Sequence, residues 1–262
     1  MLEARAEEAA LTAAARVAID TGASSGIGRA IAARLAARGT RVFAVGRDAA
    51  RLDALVAAGG SRIEARRVDL EAQDASADLA REIRATAGRL DILVHSAGAI
   101  SLAPLATASI AQLDAQWSAN LRGPWALTRA LLPLLVEARG DVVFVNSSIV
   151  RHPRAEAGLF AATQHALRGV ADCLRAELNP QGVRVLSVFP GRTATARQRR
   201  LHAAEGRRYV PERMLQPDDV AEVVAHAVSL PRTAELTEIH LRPMHRILAR
   251  AGARPARPRQ PA

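Results

Sequence analysis

Eight residues near the start of the chain, Thr21-Gly22-Ala23-Ser24-Ser25-Gly26-Ile27-Gly28, restrict its fold more than any other segment. They follow the apolar run Val17 to Ile19 and open a helical pattern carried by Ile31, Leu35 and Ala36. Glycines there allow a tight turn, let the backbone approach a pyrophosphate, and let the helix pack closely, while the helix N-terminus supplies unpaired N–H donors. A glycine-rich run alone is weak evidence, but here the strand before it and the helix after it stand where the mechanism needs them. Nucleotide binding is therefore expected, with a merely structural turn as the alternative.

Beyond this turn, apolar runs alternate with amphipathic segments. The runs are Val17 to Ile19, Arg41 to Val45, Arg62 to Val68, Ile92 to His95, Val142 to Asn146 and Val183 to Phe189. A second helical pattern carries Leu167, Val170, Leu174 and Leu178. Steady strand-helix alternation implies right-handed crossovers and a parallel sheet covered on both faces. Gly39 ends the first helix, and Asn179-Pro180-Gln181-Gly182 stops the long one. The expected architecture is α/β, a single-domain Rossmann fold with a doubly wound parallel sheet of about seven strands. Residues 15–245 form the domain, 1–14 an N-terminal tail and 246–262 a basic disordered tail.

Aromatics make up only 3% of the 262 residues, so the core must be built from Ala, Leu, Val and Ile. Every one of the 36 basic residues is Arg; no Lys occurs. Half of the net charge of +10 comes from Arg246, Arg250, Arg254, Arg257 and Arg259 in the tail, which leaves the folded part modestly basic. With few aromatics to stack bases, nucleic-acid recognition is not favoured. Cys173 is the only cysteine, which excludes an internal disulfide and a thiolate metal site and fits a reducing, cytoplasmic setting; no metal is expected. The N-terminus carries acids where a signal peptide would be basic. The uncharged stretch Ile92 to Leu113 contains His95 and Pro104, and reads as a strand, a loop and a helix start rather than a membrane span.

The spacing Thr-Gly-x-x-x-Gly-x-Gly makes the resemblance specific. With it come Gly46-Arg47-Asp48, Asp69-Leu70, Ser96-Ala97-Gly98, Asn120-Leu121-Arg122-Gly123, Asn146-Ser147-Ser148, Pro190-Gly191 with Thr195, and Gln216-Pro217-Asp218-Asp219-Val220-Ala221. From about Arg16 to Met244 the chain resembles the short-chain dehydrogenase/reductase family. The resemblance implies a dinucleotide held by Gly22, Ser24, Ser25, Gly26, Ile27, Gly28, Arg47, Asp69, His95, Ala97, Gly98, Pro190, Gly191, Thr193 and Thr195. In the family an acidic residue ending the second strand favours NAD, whereas an Arg accommodates the 2′-phosphate of NADP. Arg47 thus implies NADP(H), with NAD(H) as the other cofactor if Arg47 is an ordinary surface residue. His95 stands where the family usually has Asn, beside the adenosine ribose, either as a neutral hydrogen-bonding substitute or as a new functional group.

Members of this family move a hydride between nicotinamide and a carbonyl or alcohol carbon while a Tyr handles the oxygen's proton. A Lys four residues later lowers the Tyr pKa and holds the nicotinamide ribose, a Ser polarises the substrate oxygen, and an Asn supports a water behind the Lys. Asn120 and Ser147 match, 27 residues apart, and 13 residues further stands Phe160, with Gln164 after it. By this register Phe160 and Gln164 replace Tyr and Lys. A benzyl ring cannot donate, accept or ionise, and a neutral amide cannot depress a neighbour's pKa. If codon bias alone had removed Lys, Arg would be the expected stand-in.

Asp20, where the family is usually apolar, lies near the pyrophosphate or inside the sheet, where ionisation is costly. His152, following the fifth strand, is the candidate substitute acid; His165 points away from Gln164 on its helix; Tyr209, the only tyrosine, lies after the sixth strand. That last segment also holds Arg192, Arg197, Arg199, Arg200, Arg207, Arg208 and Arg213 against Glu205 and Glu212. It reads as a solvated helix, or as a lid that attracts an anionic or carrier-bound substrate. The expected protein is an NADP(H)-binding family member, nominally a carbonyl/alcohol oxidoreductase, whose hydride transfer is lost or severely reduced. It assembles as a homo-oligomer, or as a hetero-oligomer with an active relative, through the helices of Asn120 and Phe160. The alternatives are an active reductase using His152, or a non-redox enzyme reusing the pocket.

Overall fold

Each apolar run of the sequence becomes a strand of one parallel sheet in the computed structural model, which describes residues 15–245; the two expected tails lie outside the described residues. The strands are β1 (Val17–Thr21), β2 (Arg41–Gly46), β3 (Ile63–Arg67), β4 (Ile92–His95), β5 (Asp141–Val145), β6 (Arg184–Pro190) and β7 (Glu238–Leu241). Their order is β3-β2-β1-β4-β5-β6-β7, every pair parallel. β7 escapes hydropathy because it is an edge strand in which Glu238 and His240 alternate with Ile239 and Leu241.

The helices are α1 (Gly26–Ala37), α2 (Ala49–Gly59), α3 (Ala75–Thr86), α4 (Ile110–Trp117), α5 (Gly123–Glu137), α6 (Gly158–Leu178), α7 (Ala196–Ala204) and α8 (Pro217–Ala227). They cover both faces because successive strand residues point to opposite sides. Ala18, Ala44, Val94, Val143 and Val188 pack with Ile31 and Leu35 of α1 and with Val220 and Val224 of α8. Ile19, Phe43, Leu93 and Phe144 pack with Leu79, Leu127, Leu131 and Leu167 from α3, α5 and α6. Among the described residues, no helix is long and apolar enough to cross a membrane.

Strand order reverses between β1 and β4. The chain leaves these two adjacent strands in opposite directions, so a crevice opens beyond their carboxyl ends. Gly22–Gly28, Gly46–Asp48, Ser96–Gly98, Asn146–Ser148 and Pro190–Gly191 lie at that end of the sheet, because each follows a strand directly or overlaps its end.

Candidate active site

The turn between β1 and α1 is a cradle that only glycine fits. Gly22 has φ +76°, and a Cβ there would lie 2.7 Å from Ala97 N, inside the loop that follows β4. A Cβ on Gly28 would lie 2.7 Å from Gly22 O, so α1 is seated directly on the turn. Ser25 precedes α1 in an extended conformation and makes no side-chain cap, and the helix's first turn contains no acid. Its leading amides therefore face the crevice without a side-chain partner, the arrangement that binds a phosphate. Ile27, in the first turn of α1, packs against the core. Thr21 joins the two walls: its Oγ1 donates to Val94 O at 3.2 Å and lies 3.2 Å from the donating amides of Ser96 and Ala97. The sequence motif contains Thr21, but its role as a clamp between β1 and β4 needed the register of the two strands.

Around the rim, Ser24 lies against Gly46, where a Cβ would meet its Oγ at 3.3 Å. Arg47 is exposed, with a guanidinium nitrogen 3.6 Å from Glu71 Oε1. Asp69 is exposed too, and its carboxylate accepts from Glu71 N at 3.2 Å. On the far side, Gly191 N donates to Leu241 O at 2.8 Å, fastening the Pro190-Gly191 bend to β7. Thr193 is buried and spends its hydroxyl on Gly191 O at 3.1 Å. Thr195 caps α7 by accepting from Gln198 N at 3.1 Å.

Asn120 stands in a single π-helical turn, Ser118–Arg122, between α4 and α5. Such turns recur at functional sites because they turn one residue out of the α-helical ladder. Its Oδ1 accepts from Ala99 N at 2.7 Å; its Nδ2 donates to Ala99 O at 2.9 Å and to Thr163 Oγ1 at 3.0 Å. Thr163 is the link that ties Asn120 to α6, one residue before Gln164, and no sequence motif pointed to it. From the other side Asn146 Nδ2 donates to Gln164 O at 3.0 Å. Gln164 is only 4% exposed, and its side-chain amide makes no hydrogen bond to another described residue. Ser147 Oγ accepts from Ile149 N at 3.3 Å, which leaves its hydrogen available for donation. Phe160 packs in an apolar cluster with Leu102, Ile149, Val150, Ala157, Ala161 and Phe189.

Other candidates lie apart. His152 and His165 are exposed. Tyr209 packs edge-on to the buried ring of His202, 5.6 Å between centroids, and under the Arg199 guanidinium. Glu205, 6% exposed by side chain, is the hub of this segment, pairing with Arg154 at 2.6 Å, Arg192 at 2.7 Å and Arg207 at 3.4 Å. Burial raises its pKa, but hydrogen bonding and charge from Arg192 and then Arg154 outweigh that and hold it below the ordinary glutamate range. Glu205 thus draws in two arginines of the segment, Arg192 and Arg207, together with Arg154 from before β6. No group of three or more His, Cys, Asp or Glu residues gathers as for a metal among the described residues.

Two buried titratable groups flank the crevice. Asp20 is the penultimate residue of β1 and faces the sheet interior, beside Ala44 and Val94 in register, rather than the pyrophosphate side. Neither carboxyl oxygen finds a hydrogen-bond partner. Burial pushes its pKa well above the usual carboxylate range; the nearby Ala32 backbone, too far or misaligned for a proper hydrogen bond, pulls the other way without reversing the shift. His95 is 2% exposed and stacks on Phe144 at 4.9 Å. Its Nε2 lies 2.8 Å from Thr128 Oγ1, whose own hydrogen goes to Pro124 O at 2.9 Å, so Nε2 carries the proton and Nδ1 is a lone pair with no partner. Burial pushes this imidazole down to about 3.

That shift has a sign. Between about pH 6.5 and 3 the unfolded His95 binds a proton that the folded one refuses, so stability falls as pH drops through this window. Replacing His95 by Gln, which can still reach Thr128, should recover up to about 2 kcal/mol at pH 5 and nothing at pH 8. Urea melts at the two pH values check this, and equal shifts at both would refute it.

A parallel sheet with a glycine cradle at its switch point defines a Rossmann-type protein. The sequence comparisons then specify which kind. Residues 16–206 match the family model described as short chain dehydrogenase. An uncharacterized short-chain type dehydrogenase/reductase of Sinorhizobium fredii is 34% identical over 241 residues, covering 90% of this chain and 94% of the relative. A serine 3-dehydrogenase of Agrobacterium fabrum is 30% identical over 234 residues, covering 87% and 94%. Among solved structures, the closed form of a serine dehydrogenase complexed with NADP+ superposes with a TM-score of 0.81 at 27% identity, covering 90% of this chain and 98% of that one. The chain belongs to the short-chain dehydrogenase family.

Proposed function

We propose that this protein binds NADP(H) in the crevice and has lost, or nearly lost, the hydride transfer of its family. The observation that carries the reading is the side chain at position 160, a phenyl ring set among apolar neighbours where the family's register asks for a proton donor. The dinucleotide's phosphates would meet the turn of Gly22, Ser24, Ser25, Gly26, Ile27 and Gly28, and its adenosine end Arg47 and Asp69. Ala97, Gly98, Pro190, Gly191, Thr193 and Thr195 would line the rest. His95, being buried, would act as scaffold for that wall rather than as a proton carrier. NADP+ in the serine dehydrogenase structure supports the choice of cofactor, as does the guanidinium at position 47. When bound, the group supplies a hydride donor; the chain retains Ser147 and Asn120 to orient an oxygen but offers no ionisable partner at positions 160 and 164. A positioned acid contributes about 10²- to 10⁴-fold in rate.

A binding or scaffolding subunit follows from this reading. Trp125 on α5, 45% exposed, supports assembly through the helices of Asn120 and Phe160. His152, exposed on its loop, is left as a surface residue. Calorimetric titration with NADPH should give saturable binding, while a panel of carbonyls is turned over at or near background. His152→Ala should change neither; a loss of turnover in that variant would move the protein to the active class.

A further inference from the structure

The first turn of α7 touches both walls of the crevice. Thr195, its cap, lies against the phosphate turn, where a Cβ on Gly26 would come within 3.1 Å of the Thr195 methyl. Two residues later Arg197 reaches the other wall, its Nη2 donating to Gly98 O at 2.5 Å. Gly98 in turn sits on Asn120, whose Oδ1 would be 2.9 Å from a Cβ at that glycine, and Asn120 bonds Thr163, the neighbour of Gln164. One guanidinium, the retained Asn and the neutral amide thus share one end of the crevice. Arg192 and Arg207 of the same segment are paired with Glu205, and Arg199 lies over Tyr209. Among the described residues, no carboxylate lies within ion-pair distance of Arg197. Arg197 is exposed, and its guanidinium stays charged at neutral pH.

We infer that Arg197 is the cation this chain applies to the pyrophosphate–nicotinamide half of its dinucleotide, in place of the charge that position 164 lacks. This rests on the proposed binding of NADP(H). A dianionic pyrophosphate in a crevice partly closed to water needs counter-charge. A neutral amide on α6 provides none. The forked donors of an arginine suit phosphate oxygens, and releasing Gly98 O costs a single hydrogen bond to a neutral acceptor.

Two probes separate the halves of the ligand: NADPH, and 2′,5′-ADP, which lacks the nicotinamide end. Wild type, Arg197→Gln, Arg197→Lys and the surface control Arg208→Gln are titrated with each by calorimetry, with circular dichroism confirming the fold. Arg197→Gln should weaken NADPH about tenfold or more and change 2′,5′-ADP less than twofold; Arg197→Lys should recover part, and Arg208→Gln should be silent. In a Gln164→Lys background the Arg197→Gln loss should shrink to about threefold or less, because the second cation covers the same charge. NADPH affinity unchanged in folded Arg197→Gln, or an equal loss for both probes, overturns the assignment while leaving cofactor binding intact. A wild type that binds neither probe overturns the cofactor reading and this inference with it.

Discussion

Phe160→Tyr combined with Gln164→Lys is expected to raise NADPH-dependent reduction of an activated ketone at least about 100-fold over wild type, the lower end of what a positioned acid contributes. Tyrosine adds one hydroxyl to a ring that is already half-buried beside Leu102, Ile149 and Ala161, so the backbone need not move. Lysine at 164 replaces an amide that satisfies no hydrogen bond among the described residues, on a backbone held by Asn146. Ser147, with its hydrogen free, and Asn120, fixed to Ala99 and Thr163, are already in place. The single variants should fall well short of the pair: Tyr alone titrates near 10 and is poorly matched to neutral pH, and Lys alone has no acid to tune. In the double variant the reduction rate should decline as pH rises through the tyrosine pKa, because the protonated form is the donor. A folded double variant that binds NADPH and remains at background would show that positions 160 and 164 are not the whole deficit.

Asp20→Val should stabilise the protein by about 3 kcal/mol at pH 8, on the order of 5–10 °C in Tm. A carboxyl buried between Ala44 and Val94 without a hydrogen bond must either stay protonated at neutral pH or ionise in an apolar setting. Both cost free energy, and valine fills nearly the same volume without either. The pH dependence follows from the raised pKa. Below about pH 4 both folded and unfolded forms are protonated, so the group costs no linkage energy. As pH rises, the unfolded carboxyl ionises first and stability falls by about 1.4 kcal/mol per unit up to the native pKa. The advantage of Asp20→Val should therefore be small at pH 4 and grow towards pH 8, opposite in direction to His95→Gln. Denaturation across that range decides the matter: a difference that does not grow with pH would mean that the folded carboxyl is ionised and paired.

These two positions also mark how much was legible in the chain. The register proposed for Asn120, Ser147, Phe160 and Gln164 rests on spacing along the chain alone. Asp20 was legible as an anomaly, but its direction was not. Whether it met the pyrophosphate or the sheet interior depended on which face β1 turned towards α1 and α8. His95 was visible as a substitution, yet its neutrality depends on Phe144 and Thr128, contributed by β5 and α5 from far along the chain. The arginines after β6 looked like one basic cluster. In space Arg192 and Arg207 share Glu205 with Arg154 from before β6, and Arg197 crosses to Gly98.

By itself the amino-acid sequence determined the parallel α/β architecture and the glycine cradle. Those properties are local: hydrophobic period, turn stereochemistry and chemical composition act over a few residues. Only the tertiary structure decided the edge strand β7, the Thr21 and Thr163 links, the ion pairs of Glu205 and the burial that shifts Asp20 and His95. Hydrogen bonds, ion pairs and desolvation depend on which distant groups are brought within a few ångströms, and no spacing along the chain encodes that distance.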